Sequence, residues 1–183
     1  PVKEWKEFML MGMPGTNFGG LRLAAAPNKL YLSNSLSTNM AIYYTTETLS
    51  ATPNWVLVVQ DNAMANGFQG MTVDPAGNLY VLGESGAAGT GTLRKFDPAG
   101  NLLWLVNPTA RMTGMDILSN GKLIATTFGG QLYTYDPATG AETLAANTGA
   151  GNFVRDLVVQ RDPVNGKDIL WANRSGSLIR ISG

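Results

Sequence analysis

The sequence predicts an all-β fold built from four copies of one small antiparallel sheet, and three observations carry that expectation. Short apolar runs alternate with Gly-, Pro- and Asn-containing turns along all 183 residues, leaving no stretch for a helix of any length. One scheme recurs in "FGGLRLAAAPNKLYLSNS" (18–35), "FQGMTVDPAGNLYVLGES" (68–85), "MTGMDILSNGKLIATTFG" (112–129) and, with a longer turn, "FVRDLVVQRDPVNGKDILWANRS" (153–175). The spacing is regular: Leu30, Leu79, Leu123 and Ile169, one in each second apolar run, are 49, 44 and 46 residues apart.

Each copy opens as a hairpin. Gly in "PAGN", "SNGK" and "VNGK" supplies the positive φ of a tight turn, and Asn tolerates it. A third strand follows in "GTLRKFDPAG", "GQLYTYDPATG" and "GSLIRISG", with "NMAIYYTTE" (39–47) as a looser relative. Fourth strands are read in "NWVLVVQ" (54–60), "NLLWLVN" (101–107) and "AETLAAN" (141–147). Four short strands per unit at this period describe the blade of a β-propeller, so the expected fold is a single four-bladed β-propeller domain over 1–183 with blades at 18–60, 68–107, 112–147 and 152–182. Half of an eight-bladed ring, completed by a second copy, is the alternative.

The fourth copy stops after its third strand, and one strand precedes the first copy. That strand is "VKEWKEFML" (2–10), whose Trp5 stands 50 residues before Trp55, which stands 49 before Trp104. It reads as the missing outer strand of the fourth blade, supplied by the chain itself or by a neighbouring copy. Trp5, Phe8 and Leu10 would be its buried side chains, each worth about 1.5–3 kcal/mol whichever chain it completes. The connector from Met11 to Asn17 spans at most roughly 25 Å, which allows either route. Met11 is adaptable in packing, and Pro14 with Gly15 could act as a hinge for strand exchange.

Composition narrows the function. Thirteen Lys and Arg balance thirteen Asp and Glu, and no basic run exists, which argues against a nucleic-acid partner. Charged residues make up 14% of the chain, so little self-repulsion keeps copies apart. No Cys and no His are present, which removes disulfides, thiolate metal sites and Ser-His-Asp catalysis. No apolar stretch is long enough for a membrane span. A start at Pro1 without Met is expected to reflect a removed segment, a signal peptide being one candidate. The polar, Gly- and Thr-rich surface suits an extracellular or cell-surface protein.

Polar motifs divide into two groups. The Asp-Pro pairs at 74–75, 97–98, 136–137 and 162–163 follow first and third strands alike, which suits turn initiation better than a single site. Asp116 and Asp156 lie inside first strands, the innermost of their blades. With Arg22, Arg155 and Thr72 in nearby register they are candidates to line an axial pore that holds a small ligand, or to pair with one another there. "GESGAAGTGT" (83–92) lacks a phosphate-loop pattern and reads as a loop between second and third strands. "NRS" (173–175) is a formal N-glycosylation sequon. Trp5, Trp55 and Trp104 recur at one place in every outer strand but one, as packing residues or as sugar-stacking platforms.

The "DPAGNLYV" turn resembles those of NHL-like and lactonase-like β-propeller repeat proteins, a resemblance that extends over the whole chain. The lactonase-like members imply a metal-dependent hydrolase with acidic and Asn ligands at the pore. No constellation of Glu, Asn and Asp here matches that set cleanly, so no catalytic, metal or cofactor residue is assigned and no cofactor is expected. The functional expectation is a non-enzymatic extracellular structural or interaction protein that assembles with copies of itself, even into a filament through residues 2–10. A ligand-binding or hydrolytic propeller is the alternative.

Overall fold

The computed structural model describes residues 22–36, 39–47, 50, 53–60, 68–83, 91–148, 154–174 and 176–182. They form four antiparallel sheets and no helix, arranged as a four-bladed β-propeller. The first blade has β1 (Arg22–Ala26), β2 (Lys29–Leu36), β3 (Asn39–Thr45) and β4 (Val56–Gln60). The second has β5 (Phe68–Val73), β6 (Leu79–Gly83), β7 (Thr92–Phe96) and β8 (Leu102–Val106). The third has β9 (Met112–Ile117), β10 (Leu123–Thr127), β11 (Gln131–Tyr135) and β12 (Glu142–Asn147). The fourth has three strands, β13 (Val154–Arg161), β14 (Asp168–Arg174) and β15 (Ser177–Ser182). Residues 2–10 and the connector, with Trp5, Phe8, Leu10, Met11 and Pro14, lie outside the described residues, as does the 84–90 part of the Gly-rich loop.

Within every blade the strands lie in chain order, each paired antiparallel with the next, because connections of two to ten residues are short enough to return the chain beside the strand it has just left. First strands are innermost: β1 packs on β5, β5 on β9 and β9 on β13. The core is therefore laminar, with one apolar layer per seam. Ala24, Tyr31, Ile42 and Val59 meet Phe68, Met71, Leu79, Val81 and Phe96 between the first two blades. Tyr80, Leu82 and Leu93 meet Met112, Met115, Leu123 and Tyr135 at the next seam. Ile124 and Leu132 meet Val154, Leu157 and Ala172 at the third. Second strands are covered on both faces, which is why β6 and β10 are buried at every position and read as unbroken runs such as "LYVLG". Outer strands are the most open to water: β12 is exposed from Thr143 to Asn147, and β8 leaves Leu102, Leu103 and Leu105 exposed.

Polar bonds tie the seams at their outer ends. Lys95 Nζ and Trp104 Nε1 both donate to the Pro137 carbonyl, at 2.9 and 3.2 Å, joining the second blade to the third. Trp104 also tilts against Tyr80, with ring centroids 6.0 Å apart, so it acts in packing. The Tyr135 hydroxyl donates to Glu142 Oε2 at 2.6 Å, and burial followed by this carboxylate holds its pKa above the usual phenol range. Ser119 donates from its amide and its hydroxyl to Asp168 Oδ2, both at 2.9 Å, across the third seam.

The Asp-Pro pairs are turn formers. Asp97 Oδ1 accepts from the amides of Ala99 and Asn101, and its Oδ2 from the Asn101 side chain, closing a loop in which Gly100 sits at φ 90°. A Cβ at Gly100 would run into the Val58 carbonyl of the preceding blade, so that turn needs glycine both for its backbone and for room. Asp136 accepts likewise from Ala138 and Thr139. Asp74 and Asp162 follow the pattern through Asn78 and Val164.

These bonds hold the carboxylates below their ordinary pKa, Asp97 chiefly through the Asn101 side chain and Asp136 chiefly through the Ala138 amide. A depressed folded-state pKa means stability that is complete above the unfolded carboxylate pKa of about 4 and fades as pH falls through the folded value. Thermal melts from pH 7 to pH 2 are expected to stay level down to about pH 4 and then decline. In the double variant Asp97→Asn, Asp136→Asn that acid limb is expected to be shallower.

Candidate functional site

The four inner strands surround the propeller axis, and what lines it follows from where each strand starts. Arg22, Asp116, Arg155 and Asp156 border a single cavity of about 490 Å3, together with Thr72, Met115, Leu157 and Val158. The two carboxylates differ in their engagement. Asp116 Oδ1 accepts from the Thr72 hydroxyl at 3.3 Å and from the Ile117 amide at 2.8 Å, while its Oδ2 accepts from the Val159 amide at 2.7 Å. One side chain thus links the second, third and fourth blades. Asp156 is exposed, and its Oδ1 accepts from the Leu157 amide at 2.9 Å.

At the third seam the inner strands approach closely. Thr113 Oγ1 donates to the Val154 carbonyl at 2.8 Å, and Gly114 lies so close to β13 that a Cβ there would stand 2.6 Å from the Leu157 nitrogen and 2.7 Å from the Asp156 Cα. At the first seam Arg22 Nε donates to the Gln69 carbonyl at 3.1 Å.

A second cavity of about 260 Å3 adjoins the first and shares Arg22, Arg155 and Asp156 with it. Its other walls are Gln69, Arg111, Thr113, Phe128 and Asn173. Arg22, Arg111 and Arg155 each stand within one residue of the start of a first strand, so chain direction gathers them at one end of the axis. The Arg155 guanidinium lies 6.0 Å from the centre of the Phe128 ring, a cation–π arrangement. Arg111 was not among the residues expected at the pore. The signal was its place, since "RM" at 111–112 opens its repeat much as "VR" at 154–155 opens the last one.

Among the described residues, no three acidic side chains gather in a group able to hold a metal ion. Asn173 of the sequon is an exposed strand residue facing this second cavity.

Fold and channel together define a class, the four-bladed propeller with a polar axial cavity. No protein-family model matches the sequence, and no curated protein matches it significantly. Among solved structures, the computationally designed Ika4 protein superposes over 100% of this chain and 99% of its own, with a TM-score of 0.60 and 11% identity. YCF48, solved bound to D1 peptide, matches 98% of this chain with a TM-score of 0.62 and 18% identity. Glutaminyl cyclase from Myxococcus xanthus matches 89% with a TM-score of 0.60 and 19% identity. The chain spans 54% of the YCF48 chain and 65% of the cyclase chain. At these identities the likeness is one of fold.

Proposed function

We propose that this chain is a non-enzymatic, extracellular interaction protein that assembles with copies of itself by strand addition at the edge of β15. The observation behind this reading is the exposure of that strand. Its counterparts β3, β7 and β11 are third strands, each covered by a fourth, and they bury Ile42, Leu93 and Tyr135 completely. β15 has no fourth strand beside it among the described residues, and its Leu178 is 67% exposed. An edge with no partner strand among the described residues presents main-chain donors and acceptors to a further strand, here beside the exposed side chain of Leu178. The segment 2–10 has the pattern to fill it, and supply from a neighbouring copy gives head-to-tail assembly. Sparse charge and zero net charge favour contact between copies. The hydrolytic alternative has less behind it, because both oxygens of Asp116 already accept protein donors.

Light scattering on the intact chain is expected to report oligomers, and on a chain lacking residues 2–10 monomers only. A synthetic peptide of residues 2–10 is expected to bind the truncated chain, and Leu178→Lys to weaken that binding. A monodisperse monomer for the intact chain at high concentration would overturn the assembly proposal.

A further inference from the structure

We infer that the arginine-lined end of the axial channel is a binding site for a small oxyanion, a ligand carrying carboxylate or phosphate groups. The inference is independent of assembly through β15. Three guanidiniums, from Arg22, Arg111 and Arg155, border one cavity in which Asp156 is the single carboxylate among the described residues. Among the described lining residues, three cations face one carboxylate around about 260 Å3. The chain as a whole has no net charge, so this is a local concentration made by the fold.

Walls between low-dielectric blades focus such a field toward the cavity, where it attracts an anion more strongly than the same charges would on an open face. The remaining lining suits the same ligand. Gln69 and Asn173 bring side-chain amides, and Phe128 gives one apolar wall against which Arg155 is held. Arginine matters beyond its charge, since the planar fork grips a carboxylate or phosphate through two parallel bonds. The volume lies near the lower end of small-molecule sites, and the adjoining cavity of about 490 Å3 leaves room for a less polar body against Met115 and Val158. The geometry points to a ligand with an anionic head at the arginines and an uncharged remainder along the axis.

Calorimetric titration of the full chain with inorganic phosphate and, separately, with succinate at constant ionic strength tests the site. Saturable one-to-one binding of at least one probe is expected, and the stronger of the two identifies the preferred head group. Arg155→Gln and Arg111→Gln are each expected to weaken binding about tenfold or more, because each removes a charge-assisted contact. Arg155→Lys keeps the charge and loses the fork, and is expected to fall in between. Asp156→Asn removes the competing carboxylate at an exposed position and is expected to tighten binding severalfold. It keeps the proposal falsifiable even if an arginine variant fails to fold. No saturable binding of either probe in the millimolar range, or binding that none of these substitutions changes, would overturn the site. Either result leaves the light-scattering outcome for assembly unaffected.

Discussion

Asp116→Ala is expected to lower stability by about 3 kcal/mol, a fall in melting temperature of roughly 6–12 °C for a chain of this size. The wild-type carboxylate accepts three bonds, from Thr72 on one side, Ile117 in its own strand and Val159 on the other side. Bonds to a charged acceptor are worth more than neutral ones, and truncation leaves the donors behind without it. The Val159 amide is the most exposed to this loss, since it points from the innermost strand of the fourth blade into the third seam. Asp116→Asn is expected to lose less, because an amide oxygen can replace one carboxylate oxygen but its NH2 faces a donor. Thermal melts and amide exchange at Val159 check both variants. A melting curve for Asp116→Ala that overlays the wild type would remove the carboxylate as a link between blades.

Gly114→Ala is expected to cost about 3 kcal/mol for a different reason, which is lack of space. The nearest neighbours of an added methyl are main-chain atoms, the Leu157 nitrogen at 2.6 Å and the Asp156 Cα and C at 2.7 and 2.8 Å. A strand backbone cannot rotate aside as a side chain can, so β9 and β13 must separate and the Val154, Leu157 and Ile124 layer must open with them. Gly70 provides the contrast within the same molecule. A methyl there would meet Leu82 Cδ1 and the Met115 nitrogen at 3.4 Å each, so Gly70→Ala is expected to cost under about 1.5 kcal/mol. Equal melting temperatures for the two variants would contradict the close approach at the third seam.

Much of the architecture was legible because a propeller blade is a local object. Its strands are consecutive, its hairpins are marked by Asp, Asn and Gly, and the second-strand ruler through Leu79 and Leu123 falls on fully buried positions. Trp55 shows the limit of such reading, since it stands immediately ahead of β4, buried with Leu32, Ala41 and Tyr43. The channel was legible only in outline. Asp116, Asp156, Arg22 and Arg155 could be placed on inner strands by alignment of the copies, and they do border one cavity. What Asp116 does there depends on a main-chain amide 43 residues away, and main-chain donors leave no mark on composition. Arg111 was missed because it precedes the apolar run that defines its strand, where pattern reading sees a loop.

The three-way engagement of Asp116 also fixes the order in which the copies must occur. A carboxylate in the third copy needs a hydroxyl on the inner strand before it and a well-aimed amide on the inner strand after it, and Thr72 and Val159 are those two groups. The repeats share a plan and yet are not interchangeable parts. Shuffling the second and third copies would leave the carboxylate facing the wrong flanks. Such a molecule is a sentence whose words rhyme but whose syntax is set.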